Sequence, residues 1–421
     1  MDLATISAVE AVRGIRDGRI DPGDLLEAYI EQIGRREATV QAFAWFDADA
    51  ARSALAGSRN GPLHGIPVGV KDVLDTAELP TQANSPIWKG NRPRMDAASV
   101  ILAREAGAYV IGKTVTTEFA IRTPGPTTNP YDSKRTPGGS SSGSAAGIAA
   151  NFFPVAFGTQ TAGSTIRPAA FCGVFGYKPS FGLINRAGLR IMSESLDTIA
   201  VMGKSVADCA LLAGAASRRD LGNPQAKLDT APTIGLCRTW IWSEALPETR
   251  ELMERAVAAL SRAGASVRSW EPPDEFEAML AAHTLVQFYE SAQSLSWELV
   301  EHRERISPVL LAALDEGLAT TPDTFDRLCS VMRQLQDGFG AAMGDLDILI
   351  TPPAPGEAPI GIGNTGGAAF NKFWSGLHVP CVTIPAGFGP NGMPLGLQIV
   401  ARRGDDRRLL AWAEWIHAAM N

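Results

Sequence analysis

Gly138-Gly-Ser140-Ser-Ser-Gly-Ser144-Ala-Ala-Gly147, then the apolar run Phe152 to Phe157, then Gly158-Thr-Gln-Thr161-Ala-Gly163-Ser164-Thr-Ile-Arg167: from this stretch the rest of the chain can be read. Taken alone, a Ser/Gly cluster has the composition of a flexible linker. Here Pro137 precedes it, and it runs directly into Ala145 to Ala150, residues small enough for a tightly packed helix. A loop entering a helix N-terminus presents unpaired N–H groups and a partial positive charge, an arrangement that stabilises anions. The second cluster leaves an apolar strand as a turn of small residues. Consecutive N–H groups in such a turn can converge on one oxyanion, although a tight structural turn fits the same residues equally well.

Two tempting motifs lie in or near this stretch. Gly139 to Gly143 fits G-x-S-x-G centred on Ser141, the nucleophile elbow of α/β-hydrolases. That chemistry needs a downstream acid and histidine, and neither His283 nor His378 has a distinguishing neighbourhood. Gly107-Ala-Tyr-Val-Ile-Gly112-Lys113-Thr114 fits the phosphate-loop pattern letter for letter. Its four intervening residues are apolar and strand-like, so they are expected inside a sheet and not around a nucleotide.

Outward from the clusters, helices and apolar strands alternate. Leu25, Leu26, Tyr29, Ile30 and Ile33 recur at one-face helical spacing behind an Asp21-Pro22 start signal. Gly65 to Asp72 reads as a buried strand ending in charge. Ala97 to Ala106 is a helix closed by Gly107, with a strand at Ala108 to Ile111. The pattern returns with an apolar stripe from Leu252 to Leu260, a stop at Gly264 and a strand from Ala265 to Trp270. This alternation predicts an α/β fold: a mixed β-sheet covered by helices on both faces. Ala216 to Pro232 is polar and reads as a connection. Thr351 to Gly367 holds four Pro and five Gly in seventeen residues, which predicts an ordered loop near a site. An apolar hairpin follows, Cys381 to Phe388 and Leu395 to Val400.

Composition narrows the chemistry. Across 421 residues, 38 Lys plus Arg against 45 Asp plus Glu leave a net charge of −7. That balance argues against nucleic acid as a partner, which normally requires a basic surface. The five cysteines and five histidines are scattered, with no metal-ligand spacing, and no cofactor is expected. The longest apolar run, Ala145 to Gly158, is short and interrupted by Asn151 and Pro154, so no membrane span is expected. The N-terminal residues do not read as a secretory signal, and a cytoplasmic protein is the expectation.

Lys71, Ser140 and Ser164 lie 69 and then 24 residues apart (140 − 71; 164 − 140). With G-V-K-D at the lysine, P-G-G-S-S-S-G-S at the first serine and G-T-Q-T-A-G-S at the second, the chain resembles the amidase signature family. The likeness continues through Arg167 to Gly173, Lys178-Pro-Ser, Asp347 to Pro352 and Pro394 to Gln398, and so covers roughly residues 5 to 415. It implies one large domain over 1–421, with N-terminal helices over 1–60 and half of the catalytic core over 61–215. A variable substrate-pocket lobe would occupy 216–345, and 346–421 would complete the core with C-terminal strands.

The resemblance also implies roles. Ser164 would be the nucleophile, Ser140 a proton relay on a cis peptide bond, and Lys71 the general base. Thr161, Ala162, Gly163 and Ser164 would supply the oxyanion hole. A free lysine is neutral only about once in two thousand at pH 7, so Lys71 as base needs burial to lower its pKa by more than about three units. Ala162 stands where the family commonly has glycine, and its methyl would strain a left-handed turn. Arg167, three residues after the nucleophile, together with Gln160, is similar to the malonamidase branch. There the corresponding arginine holds a substrate carboxylate, a task that suits a guanidinium fork; capping of local carbonyls or pairing with Asp197 is the structural alternative. Arg167 and Ser141 are thus candidate substrate-binding residues. The expected activity is hydrolysis of a small amide, such as a malonamic acid, by a homodimer whose only other partner is the substrate. The alternative is a glutamine-hydrolysing, ammonia-supplying subunit of an amidotransferase.

Overall fold

The computed structural model describes residues 2–421. Eleven strands form one sheet: β1 (Phe43–Phe46), β2 (Pro67–Lys71), β3 (Tyr109–Thr114), β4 (Val155–Gln160), β5 (Phe175–Lys178), β6 (Thr198–Gly203), β7 (Thr233–Cys237), β8 (Ser266–Trp270), β9 (Ile348–Thr351), β10 (Cys381–Phe388) and β11 (Pro394–Val400). Their spatial order is β1-β3-β2-β4-β6-β5-β10-β11-β9-β7-β8. The sheet is mixed. β2 runs parallel to β3 and β4, and β7 to β8 and β9, while the β4–β6–β5–β10–β11–β9 stretch is antiparallel throughout.

Strands β2, β3, β4, β5, β6, β9 and β11 are buried at every position, which explains their unbroken apolar wording. Only the two edges, β1 and β8, are partly open to solvent along their whole length. Fourteen α-helices among the described residues surround the sheet, which makes the chain a single α/β domain. The helix Pro22–Val40 starts as expected, with the Asp21 carboxylate accepting from the N–H groups of Gly23 and Asp24. The phosphate-loop pattern is not a nucleotide cradle. Gly112, Lys113 and Thr114 continue β3, and Lys113, fully buried, donates to Leu74 O and Thr81 Oγ1 beside Asp72.

The feature that positions the site is the helix Ser142–Ala149, laid against β2, β3 and β4 and buried along almost its whole length. Small residues make that approach possible. A Cβ on Gly143 would sit 2.1 Å from Ala42 O, so the helix could not lie so close to the backbone beside it. Residues 233–351, which the polar segment 216–232 introduces, share the same sheet through β7, β8 and β9.

Candidate active site

Lys71 is the last residue of β2, and its side chain is fully buried. Nζ donates to Ser140 Oγ at 2.6 Å and to Thr159 Oγ1, on neighbouring β4, also at 2.6 Å. Burial brings the ammonium pKa down from 10.5 to about 7, against the opposing pull of the Asp197 charge. An amine in that range is about half neutral at pH 7, which a base requires. The Gly139–Ser140 peptide bond is cis. Beyond Ser140 the chain turns into the helix Ser142–Ala149.

Ser164 lies in the turn between β4 and the short helix Ile166–Phe171. Ser140, Thr161, Ala162, Gly163, Ser164 and Arg167 all line one cavity of about 210 Å³. The structure therefore brings the expected residues together around a single space, with Lys71 beneath it. Ala162 is not among the residues with positive φ, so its methyl fits without left-handed strain. Gly163 has a steric reason to be glycine, because a Cβ there would meet Asn371 Oδ1 at 2.4 Å. Among the described residues, the N–H groups of Ala162, Gly163 and Ser164 have no acceptor. Three unpaired donors in succession beside a serine can bind a developing oxyanion.

Ser141 does not reach the pocket. It is fully buried, with its hydroxyl donating to Thr159 O and accepting from Thr159 N, both at 3.2 Å. Arg167 does reach it. Its guanidinium, 4% exposed, donates to Gly139 O at 2.6 Å and Thr365 Oγ1 at 3.1 Å, while Nε has no partner. Burial lowers its pKa to about 10. Asp197 is not its counter-ion, because that carboxylate accepts from Thr161 Oγ1 and from the N–H groups of Met192 and Ser193.

Several site residues escaped sequence reasoning. Arg122 and Lys372 join Arg167 on the cavity wall, and no aspartate or glutamate lines it. Lys372 Nζ donates to Thr284 Oγ1 at 3.1 Å, and the Arg122 guanidinium stacks over Phe288. None of the three cations has a carboxylate within 4.0 Å among the described residues. His283 donates from Nε2 to Thr161 O at 2.9 Å, and Ser375 Oγ donates to Ala162 O at 2.6 Å. No local motif marks these positions; His283, Lys372 and Ser375 arrive from helices far along the chain, and Arg122 from the loop between β3 and the helix Ser142–Ala149.

The model of the amidase family matches residues 24–410. A glutamyl-tRNA(Gln) amidotransferase subunit from Halothermothrix orenii is 29% identical, covering 100% of this chain and 98% of that protein. Among solved structures, an amidase is 31% identical with a TM-score of 0.89, covering 99% of this chain and 100% of that one. The native peptide amidase of Stenotrophomonas maltophilia is 29% identical with a TM-score of 0.83, covering 98% and 96%. The Halothermothrix relative overturns one expectation. A partner list of small-molecule substrate and second copy, with nucleic acid excluded, does not stand beside a full-length relative that is one subunit of a glutamyl-tRNA(Gln) enzyme. The physical reason is that net charge describes a whole surface. It does not exclude a role beside a tRNA in an assembly where other proteins contribute to the contact. On the membrane side, no helix among the described residues is long and apolar enough to cross a bilayer.

Proposed function

The chain belongs to the amidase signature family of amide C–N bond hydrolases, and on that premise we propose that it releases ammonia from a small primary amide through an acyl-Ser164 intermediate. Ser164 Oγ attacks the amide carbonyl while its proton passes by way of Ser140 to the neutral Lys71 amine. The oxyanion is received by N–H groups of the 161–164 turn. The C–N bond breaks as the proton returns to the leaving nitrogen, and water then frees the acid. The observation that carries this reading is the 2.6 Å contact of a buried Lys71, with its pKa near neutrality, with Ser140 beneath the cavity that Ser164 lines.

Likeness along the whole chain to a glutamyl-tRNA(Gln) amidotransferase component supports glutamine as the amide and a complex of several proteins as the setting. The test is ammonia release from glutamine by the purified chain, with and without co-expressed candidate partners, beside Ser164→Ala. Absence of ammonia from every amide offered, alone or assembled, refutes the proposal.

A second reading rests on the cavity wall. Arg167, Arg122 and Lys372 suit an acyl group bearing a carboxylate, yet no acid is present to meet the α-ammonium of glutamine. This favours a self-contained hydrolase of a carboxyl-bearing amide, although the relatives described above lend no support to the malonamic acid suggested by Arg167. Glutaramic acid, which is glutamine without its amino group, separates the two readings. Faster turnover of glutaramate than of glutamine by the purified chain supports the second.

A further inference from the structure

The geometry points to His283 and Ser375 as positioning residues that aim the oxyanion-binding amides of the 161–164 turn. This inference rests on the nucleophile and oxyanion roles proposed above and goes beyond them, because neither residue touches the reacting atoms. In a planar trans peptide the carbonyl and the following N–H point in opposite directions. Whatever holds a carbonyl on one side of the turn therefore directs the next N–H to the other side.

Each carbonyl of this turn is held. Thr161 O accepts from His283 Nε2 at 2.9 Å, which directs the N–H of Ala162. Ala162 O accepts from Ser375 Oγ at 2.6 Å, which directs the N–H of Gly163. Gly163 O accepts from Arg167 N, and Ser164 O from Ser141 N, both at 3.1 Å. Two of the four clamps are thus backbone N–H groups, and two are side chains from the helices Ala278–Ser294 and Ala369–Gly376. The first three clamps direct the N–H groups of Ala162, Gly163 and Ser164, which have no acceptor among the described residues, while the fourth directs that of Thr165, which donates to Gln160 Oε1.

The donors are themselves constrained. Gln160 Nε2 donates to Ser375 Oγ at 3.0 Å, leaving the single hydroxyl proton for Ala162 O. Gln160 Oε1 in turn accepts from the N–H groups of Thr165 and Ile166, each at 3.0 Å, which ties the far end of the turn to the same side chain. A carbonyl can only accept, so the His283 proton sits on Nε2. Burial lowers the imidazole pKa to about 4, and this one tautomer persists across the neutral range. The buried Nδ1 has no partner, and the ring is not placed to act as a base.

The test is steady-state kinetics on an amide that the wild-type chain hydrolyses, together with inhibition by the corresponding aldehyde. The aldehyde forms a tetrahedral adduct on a serine nucleophile and so reports the oxyanion site, whereas the product carboxylate reports ground-state binding. Ser375→Ala and His283→Met are each expected to lower kcat by ~10-fold to 100-fold, up to the loss seen when one oxyanion donor is removed. KM and product inhibition should stay within about twofold, and aldehyde affinity should fall in the same proportion as kcat. His283→Gln, which restores a donor near Nε2, is expected to recover most of the loss. Ser375→Thr should do the same at the second position, so a poorly folding variant at one site leaves the other decisive. Unchanged kcat and aldehyde affinity in Ser375→Ala, with Ser164→Ala inactive, overturns the positioning role alone. Full turnover in Ser164→Ala overturns the nucleophile and this inference with it.

Discussion

Lys71 Nζ and Ser140 Oγ meet at 2.6 Å although 69 residues of chain separate them, and the lysine has no exposure to solvent. The pair joins the end of β2 to the turn that opens the helix Ser142–Ala149. An ammonium at this depth is held by two hydroxyl acceptors, with no carboxylate within 4.0 Å among the described residues, so burial outweighs the Asp197 charge and favours the neutral amine.

Turnover is expected to rise with pH and level off above about 7, because the proposed mechanism uses the deprotonated form of Lys71. Lys71→Met should remove about 10³-fold or more of kcat. The same variant should melt at a higher temperature than wild type at pH 6. The folded pKa lies below the unfolded 10.5, so the stability cost is full below about pH 7 and fades as pH approaches 10.5. A flat kcat profile between pH 5 and 9 with chemistry limiting, or a stable and fully active Lys71→Met, contradicts this role.

Arg167→Leu should raise KM for a carboxyl-bearing amide by about 10-fold to 100-fold, the range of a lost charge-assisted hydrogen bond. KM for a neutral amide of the same size should change much less. The ratio of the two kcat/KM values is the measurement, and an unaltered ratio removes Arg167 from substrate recognition.

Gly163→Ala places a methyl carbon where Asn371 Oδ1 stands 2.4 Å away. The turn must shift, and kcat is expected to fall by ~10²-fold while the fold survives, as judged by an unchanged circular dichroism spectrum. Adding Asn371→Ala should return part of the loss. No recovery in the double variant would place the defect elsewhere than in this collision.

Lys113 and Asp72 are both buried, with Nζ 3.3 Å from Oδ1, and burial works against the charged form of each. Lys113→Met should cost about 3–5 kcal/mol of stability by leaving the carboxylate uncompensated. ATP should neither bind the wild type nor alter its melting temperature. A nucleotide-dependent shift would restore the phosphate-loop reading that β3 replaces.

What the sequence revealed was what neighbours along the chain can encode. Ser140, Gly163 and Ser164 sit in wording dense enough to be recognised, and Pro22–Val40 carries its own start signal. Thr159, His283 and Ser375 were invisible for the opposite reason. Their contacts with Lys71, Thr161 and Ala162 span 88, 122 and 213 residues, and they depend on strand register and helix packing that no local pattern records. Ser141 was a substrate-binding candidate, but side-chain direction in a turn is not written in the local wording, and its hydroxyl goes to the β4 backbone. The partner expectation failed because overall charge carries no information about an assembly.

The groups proposed to cut the bond and part of the wall around them come from different stretches of chain. Lys71, Ser140 and Ser164 lie in the first half, on β2, in the turn before the helix Ser142–Ala149 and in the turn after β4, while Thr284, Gln287, Phe288, Thr365 and Lys372 complete the cavity from the second half. Substitutions among the latter can alter which acyl group fits without disturbing the groups that cut it. A lineage built this way can diversify in diet while inheriting one set of teeth.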